Sequence, residues 1–196
     1  MMNITKRQME IVQAAIQVIA RQGYEKLTTK NIAKSLGVSD ASLYRHFESK
    51  KELIKMILCY FEELSCEVIQ NIKTQKLSPL DRIRLFVNSR YDMFEKEPDL
   101  AMVMFSEELF KNDPDFEQHY MSIMQIHRDE VLGYIMEGQQ QDTIRSNMNA
   151  MHIFRIVVGS MRFLITQWNL SSHGFVLTSE GKNLTETIIK LIEVKQ

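Results

Sequence analysis

Apolar residues recur every three or four positions along most of this chain, polar residues fill the opposite face, and Gly or Pro stands at most of the breaks. Thr5-x-x-Gln8 is a capping box that opens a first helix. Its apolar face is Ile11, Ala15, Val18 and Ile19, and Gly23 stops it. A second helix starts at the N-cap Thr28, buries Ile32, Ala33 and Leu36, and ends at Gly37, which takes a left-handed conformation without a Cβ penalty. Val38 is a small apolar plug, and Ser39 caps a short third helix, Asp40 to His46, with Leu43 and Phe47 facing the core. A second capping box, Ser49-x-x-Glu52, launches Leu53, Ile57, Phe61, Leu64, Val68 and Ile72. That spacing predicts one continuous fourth helix from about Lys50 to about Lys73, shared by a head and a body and suited to transmit motion between them.

The remaining breaks follow the same chemistry. Ser78-Pro79 opens a fifth helix carrying Ile83, Phe86, Val87, Tyr91 and Phe94. Glu97-Pro98 restarts a shorter sixth with Met102, Phe105 and Leu109 on one side. Asp113-Pro114 opens a long seventh through Tyr120, Ile123, Met124, His127, Val131 and Ile135 to Gly138. From about Asn147, Met151, Phe154, Val158, Met161, Ile165 and Trp168 alternate spacings of three and four, a coiled-coil-like seam. After His173-Gly174 a last helix presents Leu184, Ile188 and Leu191. The expected fold is all-α, about nine helices, with a head over residues 1–50 and a body over 51–196.

Composition sharpens this picture in a few places. Seven Gly and three Pro in 196 residues argue against a loop-rich β architecture. No apolar run reaches the ~18 residues of a membrane span. The opening stretch, basic and then apolar, is interrupted by Gln, Glu and Arg and lacks a small-residue cleavage site, so it reads as an amphipathic helix rather than a signal peptide. Two Cys do not make a disulfide framework, and a cytoplasmic location is expected. The net charge of −1 is unevenly spread: residues 1–55 hold ten Lys/Arg against five Asp/Glu, and the remainder fourteen against twenty. A basic head on an acidic body suits a protein that meets nucleic acid at one end.

The head supplies the chemistry. Two short helices joined by a Gly-containing turn form a helix-turn-helix, and the second exposes Asp40, Ala41, Ser42, Tyr44, Arg45 and His46. Leu27-Thr28-Thr29, Ile32-Ala33, Leu36-Gly37-Val38-Ser39, Leu43-Tyr44-x-His46-Phe47-x-x-Lys50 and Leu53 together resemble the DNA-binding signature of the tetracycline-repressor (TetR) family, over roughly residues 5–56. In the rest of the chain only the length and the all-helical pattern agree with that family. In the phosphate-binding role the head places Thr28, Thr29, Ser39, Tyr44, His46 and Lys50, the helix starts adding free N–H groups. For base edges it offers Lys30, Asp40, Ala41, Ser42 and Arg45: Lys30 and Arg45 suit guanine, Asp40 cytosine N4, and Ala41 a thymine methyl. Asp40 reads equally well as part of the helix cap beside Ser39.

The resemblance also implies partners: double-stranded DNA carrying a palindromic operator, a second copy of the chain, and a small-molecule effector, with no membrane and no cofactor. It places an effector pocket in the body, for which Met93, Phe94, Met102, Phe105, Met124, His127, Arg128 and Trp168 are candidates. Nine of the thirteen Met lie between Met93 and Met161, a composition able to remould around apolar ligands or simply to fill a core. It makes the last two helices a four-helix dimer interface through Met151, Phe154, Val158, Met161, Ile165, Leu184, Ile188 and Leu191. From periodicity alone that stripe reads equally as internal core. The implied function is a repressor that leaves its operator when an apolar effector binds. An architectural or activating DNA binder without an effector, and a helical protein-docking module, remain open alternatives.

No P-loop, dinucleotide glycine pattern, HExxH or GxSxG motif occurs, so an enzyme is not expected. His46, His119, His127, His152 and His173 are scattered, with no metal-ligand spacing to Cys or carboxylates, and no metal is expected. Cys59 and Cys66 lie two turns apart on one helix face, ~10.5 Å by helix rise, beyond disulfide reach.

Overall fold

A computed structural model describes residues 5–39, 43, 45–47, 49–111 and 113–194. The fold is all-α, as the periodicity predicts. Its helices are α1 (Lys6–Gln22), α2 (Thr29–Leu36), α3 (Lys50–Lys73), α4 (Pro79–Lys96), α5 (Pro98–Met104), α6 (Glu107–Lys111), α7 (Pro114–Gln140), α8 (Ala150–Leu170) and α9 (Leu177–Ile192), with a 3₁₀ turn at Tyr24–Lys26. The predicted third helix falls largely on residues 40–42 and 44, which lie outside the described residues, so α3 is the fourth helix of the sequence reading.

The chain forms two compact units. The first comprises residues 1–65 and 99–121, the second 66–98 and 122–196. The units therefore interleave along the chain, and α3 and α7 each contribute residues to both.

In the first unit, local chemistry sets the helix ends. Thr5 Oγ1 accepts from the Gln8 N–H at 3.2 Å and Gln8 Oε1 accepts from the Thr5 N–H at 3.0 Å, which satisfies two of the orphan donors of α1. Gly37 closes α2 at φ +66°, the left-handed region where a Cβ would be strained. The Ser49 hydroxyl accepts from the Glu52 N–H at 3.2 Å at the start of α3. The first turns of α3 bury Leu53, Ile54, Met56, Ile57 and Leu58 on a wide apolar face, with Lys51 and Lys55 left exposed. Lys51 meets both Asp113 and Asp115 at 2.9 Å, and Lys55 meets Asp115 at 3.4 Å. The Lys51 hydrogen bonds hold both carboxyls below the usual range, and Lys55 adds to the effect on Asp115.

The predicted sixth helix is two. The Phe105 N–H still reaches back to the Ala101 carbonyl, but the Ser106 N–H turns tighter, to Val103, and α6 restarts at Glu107. The break rotates the face: Leu100, Ala101, Val103 and Met104 are buried, whereas Met102 is 43% exposed.

In the second unit, α9 packs on α4 and α8. Gly181 makes the α4 approach possible, because a Cβ there would lie 2.2 Å from Cδ2 of the buried Tyr91 ring. Arg84 grips Glu186 with two nitrogens at 2.6 and 3.3 Å, and Arg82 grips Glu137 at the same two distances. Gly138 does not stop α7, which runs on to Gln140. Its missing side chain makes room for Ile144, whose Cδ1 lies 2.5 Å from where a Cβ would stand, and its carbonyl accepts the N–H of Thr143 and of Ile144. Asn149 caps α8 by accepting from the N–H groups of Met151 and His152.

Candidate nucleic-acid interface

Among the described residues of the predicted recognition segment, two apolar side chains are buried. Leu43 and Phe47 are 3% and 5% exposed, and the Leu43 carbonyl accepts the N–H of His46 at 2.8 Å and of Phe47 at 3.2 Å. With those two turned inward, Arg45 is exposed and His46 half-buried. Thr28 caps α2, its hydroxyl accepting from the Asn31 N–H at 3.2 Å. Thr28 and Lys30 are exposed at that start, Thr29 is half-buried, and Ser39 is exposed beyond Gly37. Hydroxyls and free backbone donors at a helix start make an anion-binding surface. Asp40, Ala41, Ser42 and Tyr44 lie outside the described residues.

Lys50 is already engaged within the head. Its ammonium donates to the Tyr24 carbonyl at 2.9 Å and lies 3.5 Å from the centroid of the Tyr24 ring. Burial raises the Tyr24 phenol above its ordinary value, with Glu25 and Asp113 adding to the rise. Sequence reading missed Tyr24, since it follows a helix-stopping Gly and its partner is 26 residues away.

The effector candidates divide between the units. Met102 and Phe105 belong to the first; Met93, Phe94, Met124, His127, Arg128 and Trp168 belong to the second. Phe94, His127 and Trp168 are buried, and Met93, Met124 and Arg128 are half-buried. Arg128 turns to Asp129, Nε to Oδ1 at 3.1 Å, and Trp168 donates from Nε1 to the Phe175 carbonyl at 3.0 Å. His127 instead belongs to a polar group inside the core. Its Nε2 lies 3.3 Å from Arg90 Nη2, and its ring meets Phe86 edge-on at 5.7 Å. Arg90 is the functional candidate that sequence reading passed over, although its place four residues from both Phe86 and Phe94 puts it on the buried face.

The dimer candidates also divide. Met161, Ile165 and Ile188 are buried within the single chain. Met151, Phe154, Val158 and Leu184 are half-buried, and Leu191 is exposed. The buried stripe of α8 is Ile153, Val157, Met161, Ile165 and Trp168. A second apolar stripe faces outward through Ile156, Phe163 and Leu170, the last two 64% and 81% exposed. A groove lined by Phe163, Leu164, Gln167, Leu184 and Thr187 runs along it.

Two family models match consecutive parts of the chain. Residues 11–57 match the family described as bacterial regulatory proteins, tetR family, and residues 52–192 match the C-terminal region of YsiA-like proteins. The fatty acid metabolism regulator protein of Bacillus subtilis (strain 168) is 22% identical over 190 residues, 95% of this chain and 96% of its own length. The nucleoid occlusion factor SlmA of Vibrio campbellii is 33% identical over 111 residues, 56% of this chain and 57% of its own. Among solved structures, the transcriptional regulator FadR from Bacillus subtilis in complex with stearoyl-CoA has a TM-score of 0.75 at 20% identity, covering 94% of this chain and 99% of that one. The ketosteroid regulator KstR2 of Mycobacterium tuberculosis has a TM-score of 0.85 at 17% identity, covering 98% of each chain. At these identities the structural likeness speaks for the fold.

Proposed function

The chain belongs to the TetR family of bacterial regulatory proteins, and from that premise we propose that it is a dimeric repressor, released from a palindromic operator by a largely apolar small molecule. It is a DNA-binding transcription regulator, not an enzyme. Among the described residues no helix is long and apolar enough to cross a membrane.

The observation that carries the reading is the head's division of labour. Leu43 and Phe47 are buried while Arg45, Lys30 and Ser39 stand in solvent, so the segment presents donors outward at no cost to the core. Phosphate contacts from Thr28, Thr29, Ser39, Tyr44, His46 and Lys50 would set position, and Lys30, Asp40, Ala41, Ser42 and Arg45 would read bases. The outward stripe of α8, with Leu191 of α9, supports pairing with a second copy. Two heads held ~34–36 Å apart can then occupy successive major grooves of a palindrome.

For the effector, the full-length similarity to a fatty acid metabolism regulator and the stearoyl-CoA complex of a structural neighbour support a long-chain acyl compound. The Met-rich composition of the body suits such a flexible apolar guest. The effector acts by binding more tightly to a body conformation in which the heads no longer match the operator spacing; that differential affinity sets the size of the response.

Enrichment of randomised duplex DNA on the purified protein, at two salt concentrations, tests the reading. A palindromic motif whose affinity falls steeply with salt, and which is released by micromolar long-chain acyl-CoA but not by free CoA, is the expected result. A non-palindromic motif would end the symmetric-dimer reading, and a palindrome indifferent to every acyl chain length would end the acyl-effector reading.

A further inference from the structure

We propose that Cys59, Glu62 and His119 form a binding site for a thiophilic divalent cation, best matched by Zn²⁺, that links α3 to the first turns of α7 inside the first unit. This is independent of the operator and effector reading. Cys59 and Glu62 are three residues apart on α3 and share one face; His119 comes from the second turn of α7. One donor atom from each lies within 4.8 Å of the other two. Glu62 Oε2 is 2.9 Å from His119 Nε2. All three residues are half-buried, so the donors are shielded and still reachable from solvent.

The donor set selects the ion. Ca²⁺ and Mg²⁺ take six or more oxygens, which this cluster does not offer. A thiolate, an imidazole and a carboxylate are the ligands of Zn²⁺, with distances of about 2.0–2.3 Å that place tetrahedral donor atoms about 3.3–3.5 Å apart. Side-chain rotation alone covers that adjustment. On binding, the Cys59 thiol proton leaves to solvent and Sγ becomes a ligand. His119 binds through Nε2 with its proton on Nδ1, and Glu62 exchanges the imidazole hydrogen bond for the metal. Water completes the fourth position, which makes the ion exchangeable rather than sealed in. Burial, with the negative potential of Glu62 and Glu63, raises the Cys59 thiol, and that same potential favours a cation beside it.

The test uses the untagged full chain, stripped with a chelator and titrated with Co²⁺ as the spectroscopic probe. The expected result is one Co²⁺ per chain, with tetrahedral d–d bands and a thiolate-to-cobalt charge-transfer band that Zn²⁺ abolishes by displacement, and a higher Tm with Zn²⁺ than without. Cys59→Ser should remove the charge-transfer band. His119→Gln and Glu62→Gln should each weaken Co²⁺ binding at least tenfold, and Cys66→Ser should change nothing. Octahedral spectra, no spectrum, or a charge-transfer band that survives Cys59→Ser would overturn the site. If Cys59→Ser does not fold by circular dichroism, the Glu62→Gln titration decides: unchanged affinity there overturns it as well.

Discussion

Arg90 points a guanidinium nitrogen at the Nε2 of His127, 3.3 Å away, deep in the second unit, where Arg90 is only 2% exposed. The same guanidinium lies 4.7 Å from the centroid of the Phe86 ring. Because arginine only donates, Nε2 must accept, which leaves the His127 proton on Nδ1 and the imidazole neutral. Burial, followed by the nearby Arg90 charge, pushes His127 down to about 3, and burial lowers Arg90 to about 10.

This pair gives the protein an acid sensitivity of definite sign. Below pH ~6.5 the unfolded chain protonates His127 while the folded chain does not, so falling pH favours unfolding. The contribution is largest between about 6.5 and 3, at up to ~1.4 kcal/mol per pH unit from this one group. NMR should find no His127 titration between pH 5 and 8. A midpoint near 6.5 in the folded protein would remove the argument. The Asp113 and Asp115 carboxyls add an effect of the same sign: held below their ordinary values, they contribute stability that is lost as pH falls through those lowered values.

Gly181→Ala should destabilise by about 1–3 kcal/mol, because its Cβ would overlap the Tyr91 ring at atoms fixed near the backbone rather than at a movable tip. Gly133→Ala, also in a helix but with open space around its Cβ, should stabilise by up to ~1 kcal/mol. Urea unfolding of the two variants gives opposite shifts of midpoint if the close approach of α4 and α9 is real.

Arg45→Ala should relax one position of the operator, at about 1–3 kcal/mol for the preferred base, and leave thermal stability unchanged, since Arg45 is solvent-exposed. The measurement is a binding-site logo for the variant beside the parent; identical logos would take Arg45 off the list of base readers.

Phe163→Glu should yield a monomer by light scattering and a loss of palindrome binding, with the fold intact. The side chain lies on the outward stripe, so a charge there is solvated in the monomer and unpaired in a dimer. A dimer of undiminished affinity would move the interface elsewhere.

Much of the fold was legible because its signals are local. The capping boxes at Thr5 and Ser49, the Thr28 and Ser78 caps and the left-handed Gly37 each announce a helix end within four residues. Illegible features depend on residues far apart. Gly138 looked like a stop because its reason, Ile144, comes from the turn beyond. Helix α8 carries two apolar stripes, and periodicity cannot say which one the rest of its own unit covers. His119 stood alone in the sequence, since Cys59 and Glu62 reach it only through tertiary packing. Arg90 was hidden by its type, being a charge on a face otherwise apolar.

Lys50, resting on the Tyr24 ring and carbonyl, alters what a salt titration counts. The slope of log K against log salt reports counterions expelled when cations meet phosphates, about 0.9 per phosphate neutralised. A lysine that leaves an aromatic face and a carbonyl to reach DNA exchanges one neighbour for another, and that exchange draws on a contact the free head already possessed. In the proposed phosphate role, the affinity gain of Lys50 would be smaller than that of a lysine arriving from bulk water, while its charge would still register in the slope. Affinity and salt dependence would then measure different properties of this head: one would record how its cations were occupied beforehand, the other how many arrive.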